Sequence, residues 1–196
     1  MITSLLARCV AFIALSCAAA LPARAMEIEG FPIEESITEA GVKLVLNGTA
    51  VRKRGYFRTE LAMLYLPEKT KSVDAVYKTS GVRVLRRIVL REVPIATASR
   101  YFINDFKQVA TEAEFKQLIT DLGELGGVYG TISKVSRGDT IDTVWIPGKG
   151  MTGRFNGKSL VDKYNKNELF YQVYMRMYVG PTVHDDFRNG LLGASL

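Results

Sequence analysis

The chain predicts an α+β protein, with an antiparallel sheet and its helices packed on one face. Three features of the 196 residues carry that prediction. Strand-length apolar runs alternate by twos and are joined by Asn-Gly and glycine-rich turns. Helical patterns come in pairs instead of falling between successive strands, which leaves too few crossovers for a parallel sheet. No internal repeat, low-complexity tract or Pro-Gly-Ser linker interrupts the stretch from Glu27 to Gly193. That stretch reads as one domain, within the usual size of about 100–200 residues.

Residues 1–25 are expected to be a signal peptide and residues 26–196 the mature domain. Arg8 precedes an apolar run from Cys9 to Leu21 that is too short to span a bilayer, and Ala23-Arg-Ala25 offers a peptidase its small residues. Cleavage after Ala25 leaves 171 residues and places the protein in the periplasm. Leu15-Ser-Cys17 offers a lipoprotein alternative, but Ala14 stands where such a box usually has leucine. Both cysteines fall in this segment, so the mature chain has no disulfide, Cys-ligated zinc or nucleophilic thiol. No later apolar run is long enough to anchor the mature chain in a membrane.

Val42-Lys-Leu-Val-Leu46 is a short strand, expected to stop at an Asn47-Gly48 turn. Residues 56–66 alternate, with Phe57, Leu61, Met63 and Tyr65 on one face and Arg58, Glu60, Ala62 and Leu64 on the other. A short helix over 68–80 ends at Gly81, and 82–93 form a long strand. Pro94 halts that strand and opens a helix to about residue 109. Thr111 and Glu114 form a capping box for a helix over 111–122. Segments 140–147, 152–155 and 160–164 make a meander with Asn156-Gly157 at one turn. Helices over 167–179 and 182–192 close the chain, the second with a Thr182–Asp185 capping box.

Composition excludes several functions. Loss of Arg8 and Arg24 takes the 26 basic residues to 24 against 20 acidic ones, a net charge of +4. That is too mild and dispersed for a nucleic-acid footprint. The single histidine, His184, rules out a His-based metal site and reads as a surface residue. Gly148-Lys-Gly-Met-Thr-Gly153 spells the dinucleotide fingerprint but leads into a hairpin turn, where no helix N-terminus could hold pyrophosphate. Gly157-Lys-Ser159 lacks the upstream glycine of a phosphate loop, since residue 152 is Thr. No cofactor and no metal are expected.

The arginines carry more. Arg83, Arg87 and Arg91 share a strand face with Leu85, Val89 and Val93, while Arg86 sits opposite. They read first as stems covering apolar surface, and second as a cleft-facing fork for an anion. Arg52, flanked by Lys53 and Arg54 just after the expected turn, can point between sheet and helices. In that position its replacement by alanine would leave the fold intact.

Seven short pieces in order resemble the chalcone isomerase-like family, in its bacterial exported branch. They are Leu46-Asn-Gly-Thr-Ala-Val-Arg52, Leu64-Tyr-Leu-Pro67, Leu90-Arg-Glu-Val93, Gly138-Asp139, Ile146-Pro-Gly148, Phe155-Asn-Gly-Lys158 and Gly190-Leu-Leu-Gly193. The resemblance implies an open-faced β-sandwich: a large antiparallel sheet, a layer of helices and a ligand cleft between them. The family's plant enzymes close a chalcone into a flavanone. An arginine holds the oxyanion, a threonine and a tyrosine bind a water at the ketone, and an asparagine and a further hydroxyl residue place the far ring. The arginine carries over to Arg52 and the asparagine to Asn104. The threonine position falls on Glu60, the tyrosine position on Thr97 with Tyr101 one turn away, and the last hydroxyl position on Met177. A carboxylate at Glu60 would repel a phenolate and pair with Arg52 instead, so the cyclase constellation is broken.

Three functions follow, in order. The first is a non-catalytic exported binder of a small hydrophobic anion such as a fatty acid. Arg52 would be its carboxylate fork, and Phe57, Leu61, Met63, Phe102, Phe170, Tyr174 and Met177 its apolar lining. The second is a ligand-free interaction partner in an exported pathway. The third is an isomerase of altered substrate, with Glu60 as a general base whose pKa is raised by burial.

Overall fold

The computed structural model describes residues 26–130, 132–161 and 163–194. The expected signal segment, with Cys17 and its lipid-attachment alternative, lies outside the described residues. The chain opens with β1 (Met26–Ile28), β2 (Phe31–Ile33), β3 (Ser36–Glu39), β4 (Val42–Arg54) and β5 (Phe57–Leu66). Then come α1 (Val73–Lys78), β6 (Arg83–Val89), β7 (Val93–Pro94), α2 (Ile95–Val109), α3 (Glu112–Gln117) and α4 (Ile119–Tyr129). The chain continues through β8 (Lys134–Val135), β9 (Thr140–Ile146), β10 (Gly150–Phe155), β11 (Lys158–Ser159), α5 (Glu168–Val179) and α6 (Asp185–Leu191).

Seven strands form one sheet in the order β11-β10-β9-β6-β5-β4-β3. Every neighbouring pair is antiparallel. The expected α+β class is therefore what the chain adopts. The sheet curls so far that Arg154 on β10, one strand in from one edge, reaches Glu39 on β3, the opposite edge. Inside the curl, Leu44, Leu61, Met63, Tyr65, Val84 and Val144 pack with Ile33 from the β1–β2 hairpin. On the other face Ala62, Leu64, Leu66, Leu85 and Trp145 meet the buried side of α5. Leu61 and Met63 thus face away from the helices and do not line a cleft between the layers. Phe170 and Tyr174 are ordinary core on α5, and Phe57 is exposed.

Asn47-Gly48 ends no strand. β4 runs through it, and its register against β5 shifts between Leu46 and Gly48, which makes a bulge. The residues are chosen for what they touch. The Asn47 amide donates to the Leu191 carbonyl at 2.7 Å, and its oxygen accepts from the Thr70 N–H at 2.7 Å. A side chain at Gly48 would stand 2.1 Å from the Gly190 carbonyl, so the end of α6 closes on bare backbone. The extra residue also switches the alternation. Leu44 and Leu46 point into the curl, whereas Ala50 and Arg52 point to the helices. The turn proper comes later, at Gly55 with φ of 59°.

Other expectations change too: the Thr182–Asp185 capping box does not form, because His184 is the N-cap of α6 and no side chain caps it. Residues 26–39 hold three short strands that the sequence pattern did not announce. The helix expected over 111–122 breaks at Leu118 and resumes through the glycines to Tyr129. Residues 160–164 form no strand of the sheet, whose edge is β11. Pro94 opens α2 and the Thr111–Glu114 capping box forms as expected, but the strand Pro94 was expected to halt already ends at Val89, and Val93–Pro94 pair with β8 instead.

Candidate functional site

Register brings three charged residues into one row on the helix-facing side. Arg52 on β4 stands opposite Glu60 on β5, and Ala62 stands opposite Arg87 on β6. Arg87 is therefore the diagonal neighbour of Glu60. The Arg52 Nε donates to Glu60 Oε1 at 2.7 Å, and an Arg87 Nη lies 3.7 Å from Glu60 Oε2. One carboxylate sits between two guanidiniums. Burial, the largest single influence on Glu60, acts to raise its pKa, but Arg52 and Arg87 together outweigh it and hold the carboxyl below the ordinary range. The expectation of a raised, base-like Glu60 fails for that reason.

The two arginines are held differently. Arg52 also donates to the Met177 carbonyl at 2.9 Å, and its guanidinium lies 4.4 Å from the Phe187 ring centroid and 4.8 Å from that of Tyr178. Its donors are committed to the protein. Arg87 has its side chain 12% exposed, and its buried Nε has no hydrogen-bond partner. Burial first of all pushes the pKa of the neighbouring Tyr129 phenol up, against the Arg87 charge, and keeps it neutral. Burial is the largest influence on Arg87 and opposes its charge, yet its pKa stays well above the ordinary value, with the Glu60 carboxylate as the ionised partner beside it. Arg87 stays a cation.

Arg87 and Glu60 open onto a cavity of about 150 Å³ between the sheet and α2, α4 and α5. Its walls are mostly apolar: Val89 and Ile141 from the sheet, Ile95 and Phe102 from α2, Leu122 and Leu125 from α4. Spacing on α2 explains the choice, since Ile95, Ala98 and Phe102 recur on one helical face. Tyr101 stands at the rim with the Arg54 guanidinium 4.5 Å from its ring centroid, and Asp105 pairs with Arg54 behind it. A second, more polar groove runs beside α6 and is lined by Arg52, Asp105 and Phe187.

Of the residues singled out in the sequence, the fold brings Arg52, Glu60 and Met177 together, with Tyr101 at the cavity rim. Met177 lines both spaces and Arg52 only the polar groove. Thr97 and Asn104, seven residues apart on α2, share a face that lines neither. The sequence underweighted Arg87 and did not single out Tyr129. An arginine inside Val-Leu-Arg-Arg-Ile-Val, on the face opposite Arg86, was the available signal. Among the described residues no cluster of His, Cys, Asp and Glu could hold a metal ion, and no helix is long and apolar enough to cross a membrane.

A family model described as chalcone isomerase-like matches residues 25–193. The chain belongs to that family. No curated protein matches it. Among solved structures it is similar to the Arabidopsis thaliana fatty-acid binding protein AtFAP1. The TM-score is 0.70 at 15% identity, over 86% of this chain and 94% of that one. At that identity the likeness shows the fold, the chalcone isomerase-like sheet with its helical layer, and leaves the chemistry of the cavity to be argued from its own residues.

Proposed function

We propose that this chalcone isomerase-like protein is a non-catalytic binder of a hydrophobic carboxylate, a fatty acid or similar acyl anion, exported through residues 1–25 and working in the periplasm. Arg87 carries the reading: a largely buried cation with an unpartnered Nε at a mostly apolar cavity. Arg52 and Arg87 share Glu60, and Arg52 and Arg54 share Asp105, so three guanidiniums around two carboxylates leave an excess positive charge that a ligand carboxylate would neutralise. Arg87 takes the headgroup and Tyr129 steadies it. Arg52 fixes Glu60 from outside the cavity. The fatty-acid binding named for AtFAP1 supports the same class of ligand. A cavity of about 150 Å³ is small beside the roughly 300–1,000 Å³ of drug-sized sites. A long acyl chain must therefore leave through the rim, or α4 must shift.

Native mass spectrometry of protein purified from the periplasm tests this. A bound acyl species is expected, and titration with dodecanoate should give binding that dodecanol does not. An empty, well-folded protein that ignores both would favour a ligand-free interaction partner. The isomerase reading is weakened by the lowered pKa of Glu60, a poor base near neutrality. Incubation with a hydroxylated chalcone should leave the spontaneous cyclisation rate unchanged.

A further inference from the structure

The β4–β5 hairpin carries a surface that the cavity does not use. Gly55 turns the chain back with φ of 59° and leaves Tyr56 fully exposed and Phe57 54% exposed at the tip. Tyr101 and Ile103 on α2 are exposed as well. Among the described residues these four are half of the eight large hydrophobic side chains left in solvent. They lie together: Arg91 is stacked 4.0 Å from the Phe57 ring centroid, and Arg54 from the hairpin lies over Tyr101. Cations are interleaved with them. Glu29 and Asp105 offset Arg58 and Arg54, but among the described residues no ion pair holds Lys53, Arg91 or Arg100.

We propose that this hairpin tip and the adjoining turns of α2 dock the protein on an anionic lipid bilayer, at the mouth of the cavity. The inference rests on the acyl-binding reading, because it gives the ligand a route between membrane and cavity. Exposed aromatic rings on a convex tip, with lysine and arginine between them, suit the boundary between headgroups and acyl chains. There the rings leave water and the cations meet lipid phosphates. The position adds to this. Arg54, Arg91, Tyr101 and Ile103 belong both to the exposed patch and to the cavity lining, so docking sets the cavity mouth on the lipid. Protein interfaces are depleted in lysine at their core, whereas here Lys53, held by no ion pair among the described residues, stands beside the rings.

Vesicle co-sedimentation tests it with the full mature protein. Binding is expected on phosphatidylcholine vesicles containing phosphatidylglycerol, weak on phosphatidylcholine alone, and falling with added salt. Tyr56→Ser with Phe57→Ser should abolish pelleting. Lys53→Glu with Arg100→Glu should weaken it by more than the roughly fivefold that each lost cation is worth. None of these four residues lines the cavity, so both variants should keep their melting temperature and their dodecanoate affinity in vesicle-free solution. Wild-type protein that stays in the supernatant with anionic vesicles at low salt overturns the docking surface. So does a Tyr56→Ser/Phe57→Ser protein that pellets like wild type. Protein that pellets in the expected pattern but takes no dodecanoate upholds the surface and removes the acyl reading alone.

Discussion

Arg52 and Arg87 share a carboxylate, yet the walls behind them differ in kind. Arg52 lies against α5 and α6. On α5 eight residues, from Phe170 to Val179, are buried, and a ring from each helix lies against the guanidinium. Arg87 lies under α4, which has no buried residue and carries glycines at 123, 126 and 127. One arginine is part of a wall and the other faces a roof that adheres loosely. The row of charges can thus be structural at one end and open to a ligand at the other.

The sharpest way to break that contrast is to remove each arginine in turn. Arg52→Ala strips the partner from Glu60 and from the Met177 carbonyl, and should cost about 3 kcal/mol, the range for breaking a buried pair. Chemical denaturation would read this as a lowered midpoint. A loss below about 0.5 kcal/mol would return Arg52 to the loosely held position its sequence context suggested. Arg87→Met should do the reverse. Glu60 keeps its 2.7 Å bond to Arg52, so stability should change little. Dodecanoate affinity should fall by one to two orders of magnitude, the worth of a hydrogen bond to a charged group at roughly 1.5–3 kcal/mol.

Why the sequence ranked these arginines the other way round lies in one residue. Reading Asn47-Gly48 as a turn put Arg52 on a free connection, whereas a bulge carries the strand on and rotates Arg52 onto the helices. Nothing local separates the two outcomes. The selection is made by the end of α6, more than 140 residues away, whose carbonyls need the Asn47 amide and the bare Gly48. Elements with strong local signals were legible: Pro94 before α2, Thr111 with Glu114 at α3, and the alternation of β5. So were the class of fold and the pairing of Arg52 with Glu60. The cavity was not, because α4 is a poor helix by propensity and forms where Leu122 and Leu125 can cover apolar surface.

Acid titration sharpens the shared carboxylate. Glu60 has a lowered pKa in the folded protein, so its contribution to stability is complete above the ordinary carboxylate value of 4.5 and is lost as pH falls through the lowered one. Glu60→Gln never has that contribution. The variant should be less stable than wild type at neutral pH, and the gap should close as the solution is acidified below about pH 4.5. A gap that stays constant would mean that packing at position 60, and not its charge, holds the row together.

The smallest effect bears on the roof. Gly123 and Gly127 have no atom within 4 Å of where a Cβ would be, and neither has a positive φ, so neither glycine is required by packing or by backbone geometry. Replacing both by alanine should favour the helix by roughly 0.5–1 kcal/mol each. If α4 must loosen to admit an acyl chain, the double variant should bind and release dodecanoate more slowly, with both rates falling together and affinity nearly unchanged. Stopped-flow exchange of a fluorescent fatty acid reads those rates directly. A variant that is stabilised but exchanges ligand at the wild-type rate would show that chains enter through the rim at Tyr101 while α4 stays closed. The roof over Arg87 would then be as fixed in ligand exchange as the wall behind Arg52, and the difference between them would reduce to the free Nε.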